Sequence, residues 1–228
     1  MNTPSLAVII PVWNEEKVVK AYAKALQSLP CDELYIVDGG SSDATQDILR
    51  ELGVNLIQSP SGRAKQMNVG ASQCKSDILL FIHIDTSMSS SHIQALKEAI
   101  NHHDIVGGHF DVQLSGKHWM FRVIETMMNI RSCLTGISTG DQCQFVRRSV
   151  FEEMGGFPEQ ALMEDVEFSK RLKGYGKLIC LKNKVVTSSR RWEKYGILKT
   201  VALMWKLRLL YACGVTPEKL SQMYKHAR

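Results

Sequence analysis

Acidic residues nearly vanish from the last quarter of this chain. Residues 170–228 hold 15 Lys and Arg against only Glu193 and Glu218, whereas the first 169 positions carry 13 basic and 21 acidic residues. The cationic end suits phosphates, an anionic surface or a plain solvated helix. Long apolar runs are missing as well. The first, LAVIIPV, is cut by Pro11 and followed by charge, so it reads as neither a signal peptide nor a membrane span. ILKTVALMWKLRLLY (197–211) holds Lys199, Lys206 and Arg208, too much charge over too short a run to cross a bilayer. Core docking, a dimer contact and a membrane surface remain open for it.

Paired cysteines are absent too. Cys31, Cys74, Cys133, Cys143, Cys180 and Cys213 are scattered singly, with no C-x-x-C and no Cys/His spacing of the zinc-finger kind. We expect reduced thiols and a cytoplasmic protein, with a peripheral place at the inner membrane face left open. There is no G-x-G-x-x-G after the first apolar run, no G-x-x-x-x-G-K-[ST], no H-E-x-x-H and no G-x-S-x-G. Dinucleotide oxidoreductases, P-loop enzymes, zincins and α/β-hydrolases are disfavoured together.

What is present is a chain of 228 residues, 44% hydrophobic, long enough to bury a core. Four short apolar runs, 6–12, 33–38, 54–58 and 77–85, read as buried strands. Between them, 15–29, 43–52 and 62–74 read as helices, the second opened by an Asp43–Gln46 capping box with Asp43 as N-cap. This alternation predicts a mainly parallel α/β sheet with helices on both faces, whose ligands bind at the carboxyl ends of the strands. Further on, 104–114 reads as a strand with an irregularity at Gly107-Gly108, 117–131 as an amphipathic helix and 143–148 as a strand. Residues 155–173 read as a loop and a helix, and Thr216-Pro217 as the start of a last helix.

Carboxylates gather at the strand ends: Glu15 after the first, Asp38 after the second and Asp85 after the fourth. Such a set suits Mg²⁺ or Mn²⁺ bridging a diphosphate, because hard cations take oxygen ligands. Glu164-Asp165, a separate acidic pair opening a helix, suits a general base.

In order, VIIPVWNEE, IVDGGSSDAT, GRAKQMNVGA, FIHIDT, GDQCQFVRRSVFEEMGGFPE and LMEDVEFSKRLK resemble the inverting family 2 glycosyltransferases of the GT-A fold, more narrowly a compact bacterial subgroup. The resemblance covers roughly residues 5–193 and rests on the combination of motifs. It implies a GT-A-like domain over 1–193, a basic helical appendage over 194–228, a nucleotide-diphospho-sugar donor, most readily a UDP-sugar, and a divalent cation. By the same resemblance, Pro11, Asn14 and Glu15 cup the nucleoside, Asp38 with Gly39 meets the base, and Arg63 lies near the nucleotide. Asp85 takes the metal role of the D-x-D motif. His83 replaces that motif's first aspartate and is left to coordinate the metal, bond the ribose or fill space. Asp165 is the base, supported by Glu164. SSRRW resembles a degenerate Q-x-x-R-W motif, so Arg190 or Arg191, with Arg191 preferred, meets the leaving diphosphate; processive synthesis is not expected.

The acceptor is not specified by any of this, nor is a homodimer excluded. A nucleotidyltransferase and a non-catalytic nucleotide-sugar scaffold remain as alternatives. Nucleic acid is not expected as a partner, since the cationic end lacks a recognisable nucleic-acid motif.

Overall fold

The computed structural model describes residues 3–226. Strands β1 (Leu6–Val12) and β2 (Glu33–Asp38) form where the apolar runs place them, while β3 (Leu56–Gln58) and β4 (Ile78–Phe81) are shorter than their runs. β4 stops at Phe81 because the chain turns through 82–85 and resumes as β5 (Thr86–Ser87), which pairs antiparallel with β8 (Lys177–Thr187) instead. Beside β8 lies β6 (Ile105–Leu114), and β7 (Phe145–Arg147) bridges β6 and β4. Among the described residues these make one eight-stranded sheet of order β3-β2-β1-β4-β7-β6-β8-β5. Its first four strands are parallel, β7 opposes both neighbours, and β6 and β8 run parallel. The α/β expectation, a mainly parallel sheet flanked by helices, is met.

Every residue of β1 is buried, and its alternation decides what covers each face. Leu6, Val8 and Ile10 join a cluster with Val19, Ala23 and Leu26 of α1 (Glu16–Gln27) and with Ile93, Leu96 and Ile100 of α4 (Ser90–Ile100). Ala7 and Ile9 face the opposite cluster, built from α3 (Arg63–Gln73), α6 (Arg148–Glu153) and α7 (Glu164–Leu172). Gly70 lets α3 lie close on the sheet: a Cβ there would come within 2.6 Å of Ile9 and 2.9 Å of Val37.

The expected capping box does not form. Helix α2 (Thr45–Glu51) has Ala44 at its cap position; Asp43 accepts from the backbone N–H groups of Thr45 and Glu16, and the Gln46 amide goes to Asp38. The sequence expectations also lack α4 and β8. The run SSHIQALKEAI of α4 does carry a helical apolar period. In β8, by contrast, Lys182 and Lys184 break the alternation, because that stretch is largely exposed.

Helix α5 (Trp119–Thr135) is amphipathic in the inverted sense. Beside Phe121 it buries Glu125, Asn129 and Ser132, and it exposes Trp119, Val123, Met127, Ile130 and Leu134. The buried polar groups serve β6: Glu125 accepts from the Leu114 N–H, and Asn129 both accepts from the Val112 N–H and donates to its carbonyl. α5 also brings Cys133 onto Cys180 of β8, where the two form a disulfide with Cα atoms 5.5 Å apart. The expectation of reduced thiols therefore fails for this pair, whose partners stand 47 positions apart in the sequence.

After β8 the chain forms α8 (Arg190–Tyr195), α9 (Ile197–Ala212) and α10 (Pro217–His226), the last beginning at the expected proline. Leu207 and Leu220 are fully buried in a small cluster with Met163, just ahead of α7. Core docking is thus realised for part of α9, while Leu198, Trp205 and Leu209 stay exposed. Among the described residues no helix is long and apolar enough to cross a membrane.

Candidate active site

A polar cleft opens where β1 and the turn after β4 meet the start of α7, the 3₁₀ turn Gly140–Gln142 and the helices that follow β8. Its walls bring together Pro11, Glu15, Arg63, His83, Asp85, Glu164, Asp165 and Arg191, residues spread over most of the chain. Asn14, Asp38 and Gly39 do not line it. They build the corner beside it.

That corner is rigid for local reasons. The Asp38 side chain is buried completely, and its oxygens accept from the N–H groups of Gly40 and Ser41, the Ser41 hydroxyl and the Gln46 amide. Its carboxylate is committed to holding the turn. Asn14 takes the left-handed conformation, φ 52°, which asparagine tolerates, and accepts from the Ser42 N–H at 2.8 Å. Gln66 donates to the carbonyls of Val12 and Val37, tying the ends of β1 and β2 together beneath Gly39. A Cβ on Gly39 would meet the Gln66 amide at 2.9 Å.

Across the cleft, Arg190 joins two of the strand-end acids. Its guanidinium is 2.8 Å from Glu15 Oε2 and 3.5 Å from Asp85 Oδ2. Although partial burial opposes it, this acidic pairing keeps the Arg190 charge firmly in place. The turn that carries Asp85 also carries His83, whose Nδ1 lies 3.0 Å from Asp141 Oδ1. On its other side the imidazole abuts Gly140, where any Cβ would collide with Nε2. His83 therefore orients Asp141. Asp141 is the residue that the sequence reading missed, although GDQ stood among the quoted motifs. Burial would raise its pKa, but the hydrogen bond and charge of His83, with Arg191 and Arg63, bring it down to about 2. It is a firmly ionised carboxylate.

The donor set fits a hard divalent cation. Asp85 and Asp141 are carboxylates on the same cleft, one held by an exchangeable arginine contact and the other ionised, as oxygen ligation requires. His83 offers less, with one ring nitrogen on Asp141 and the other against Gly140.

Glu164 and Asp165 begin α7. The stack of Phe157 on Phe168, with ring centroids 4.0 Å apart, and the flanking Phe81 and Phe151 fix the helix from below. Asp165 Oδ2 accepts from the Gly140 N–H at 2.8 Å and Oδ1 from the Val166 N–H at 2.7 Å. The Gln144 amide donates to the Asp165 carbonyl and to Ser138 and Ser169, locking the 3₁₀ turn onto α7. Burial raises the pKa of both acids above the usual carboxylate range. Asp165 adds to the rise at Glu164, and Asp141 to that at Asp165, while Arg63 pulls both back. Burial opposes the charge on Arg63, yet Glu164, Asp141 and Asp165 hold it protonated.

The outer wall comes from the C-terminal helices. Met204, Leu207, Arg208 and Tyr224 line the cleft, and Arg191 bonds the Tyr224 hydroxyl while its guanidinium lies 5.5 Å from the centre of that ring. Neither the tyrosine nor Arg208 carried a motif in the sequence. Trp192 also lines the cleft.

Residues 7–155 match the family model described as Glycosyl transferase family 2. The chain belongs to that family. Among curated proteins, the family 2 chain is 26% identical to the probable glycosyltransferase YdaM of Bacillus subtilis (strain 168), over 99% of this chain and 59% of the relative. It is 27% identical to the glycosyltransferase AglE of Haloferax volcanii, over 76% of this chain and 62% of the relative. It thus spans about three fifths of the length of these relatives. Among solved structures, the mannosyltransferase PcManGT from Pyrobaculum calidifontis, in complex with GDP-Man and Mn²⁺, superposes with a TM-score of 0.70 at 16% identity, over 100% of this chain and 69% of the other. S. aureus TarS 1-349 in complex with UDP-GlcNAc gives 0.65 at 19% identity, over 81% of this chain and 58% of that one. The fold is that of the GT-A glycosyltransferases, and the family is one of enzymes.

Proposed function

We propose that this chain transfers a sugar, with inversion, from a nucleotide-diphospho-sugar to an acceptor hydroxyl. A UDP-sugar is the donor we favour. The observation that carries the reading is one cleft in which the ionised Asp141 and arginines face Glu164 and Asp165, whose pKa values desolvation raises.

Pro11, Glu15 and Arg63 form the donor side of the cleft, with the corner of Asn14, Asp38 and Gly39 shaping its edge through backbone. Because the Asp38 carboxylate is occupied, we assign nucleoside contacts there to main-chain groups and to Asn14. Asp85, with Asp141, would hold Mg²⁺ or Mn²⁺, which when bound offsets diphosphate charge. His83 is a positioning residue for Asp141. Asp165 accepts the acceptor's hydroxyl proton as that oxygen attacks the anomeric carbon. The new oxygen–carbon bond forms on the face opposite the bond to the diphosphate, which breaks. Arg190 and Arg191 meet the charge that develops on the leaving group. Burial raises the basicity of Asp165, and the Gly140 and Val166 N–H groups fix its rotamer.

PcManGT and TarS bind nucleotide sugars, and PcManGT also binds Mn²⁺; both support the donor class. Asp165→Asn tests the assignment. Turnover of a consumed nucleotide sugar should fall about 10²–10⁴-fold while donor affinity stays near that of the unaltered chain. Undiminished turnover removes Asp165 from the chemistry.

A further inference from the structure

Away from the cleft, three metal-ligating side chains, His109, Cys133 and Cys180, converge on the α5 side of the sheet, with Asp111 beside them. His109 and Asp111 are two residues apart on β6 and so point to the same face. Cys180 of β8 stands in register with His109, and α5 lays Cys133 over them. A register shift between Phe110 and Asp111, where β6 advances by one residue while β8 advances from Leu181 to Lys184, gathers the side chains there. One ring nitrogen of His109 and the two sulfurs all lie within 4.8 Å of one another. Asp111 Oδ1 is 3.6 Å from the sulfur of Cys133 and 3.4 Å from that of Cys180.

His109 is the second, independent observation. It is 2% exposed, and its Nε2 has no hydrogen-bond partner among the described residues. A buried ring nitrogen without a partner is costly unless something else engages it.

We propose that, once a thiol reductant has supplied the two electrons that open the Cys133–Cys180 disulfide, His109, Cys133 and Cys180, joined by Asp111, bind a zinc ion that clamps α5 to β6 and β8. Zinc takes such ligands tetrahedrally, at about 2.3 Å to sulfur and about 2.0 Å to nitrogen or oxygen, so sulfur-to-oxygen edges should be about 3.5 Å. Asp111 is within reach of both sulfurs, which must part when the disulfide opens. Two thiolates and a carboxylate exceed the charge of the ion by one. Lys182 supplies the balance, with its ammonium 3.7 Å from Asp111 Oδ2 and 3.1 Å from Cys133 Sγ. Soft sulfur ligands distinguish this site from the oxygen-lined cleft, which suits harder cations. The thiol protons leave to solvent as the ion binds.

The test uses the whole chain, kept reduced with a phosphine, stripped by a chelator and titrated with Co²⁺. A stoichiometry of about one, a thiolate-to-cobalt charge-transfer band, intense visible bands of tetrahedral coordination and bleaching by Zn²⁺ are expected. Cys133→Ser and Cys180→Ser should each weaken the charge-transfer band and the double variant should lose it, whereas Asp85→Ala should keep it, which separates this site from the proposed donor cation. Absence of the band in the unaltered reduced chain would overturn the proposal without reliance on any variant. So would a band left undiminished by the double variant of Cys133→Ser and Cys180→Ser, or a free-thiol count showing that the pair stays disulfide-bonded under the reductant.

Discussion

Asp165 and Glu164 carry the sharpest consequences of their surroundings. Burial raises the pKa of both, so the folded chain retains protons that the unfolded chain has released. The contribution of this pair to stability is therefore greatest below the ordinary glutamate value of 4.5 and declines as pH rises through the raised value. Glu164→Gln removes part of that loss. Thermal melts should show it more stable than the unaltered chain at neutral pH, with the gap closing in acid. A neutral-pH melting temperature below that of the unaltered chain would contradict this sign. By the same shift, the acidic limb of the kcat/KM profile should lie above the ordinary aspartate range, since the base must be ionised to act. At Gly140 a methyl group would push His83 off Asp141. Gly140→Ala should therefore lower activity and weaken Mn²⁺-dependent nucleotide binding, as read by calorimetry.

At the scale of elements, the corner after β2 is held by one buried carboxylate. Asp38→Ala strands several donors, and urea unfolding should report a loss of about 1–3 kcal/mol. Leu207, which closes the cluster joining α9 to Met163, gives a different signature. Leu207→Ala should raise hydrogen exchange in α9 and α10 while the amides of β1 stay protected, because that cluster is separate from the sheet's own core. Equal deprotection of β1 would contradict the separation. The parallel half was legible because β1 and β2 are short buried runs punctuated by polar corners. β8 was hidden by the lysines that its exposure permits, and the inverted face of α5 shows only when β6 supplies partners for Glu125 and Asn129. Asp85, Glu164 and Asp165 could be placed on one site through motif resemblance. Asp141 and Tyr224 reach it through a turn and a helix whose positions depend on long-range packing, and Asp38 kept its place while its carboxylate turned inward.

For the molecule as a whole, charge separates by role. Acids crowd the strand ends, while the cationic C-terminal segment brings Arg190, Arg191 and Arg208 to the opposite wall of the same cleft. That opposition suits a diphosphate held between a cation on the acidic side and arginines on the basic side. The central claim is that this cleft is a metal-assisted nucleotide-sugar site, and a thermal-shift titration with UDP-, GDP- and dTDP-sugars, in Mn²⁺ and in EDTA, tests it most directly. We predict that UDP-sugars stabilise the chain in Mn²⁺ far more than in EDTA, and that Asp85→Ala loses this difference while Asp165→Asn retains it. Stabilisation by no nucleotide sugar, or a shift equal in EDTA and indifferent to Asp85→Ala, would contradict the account.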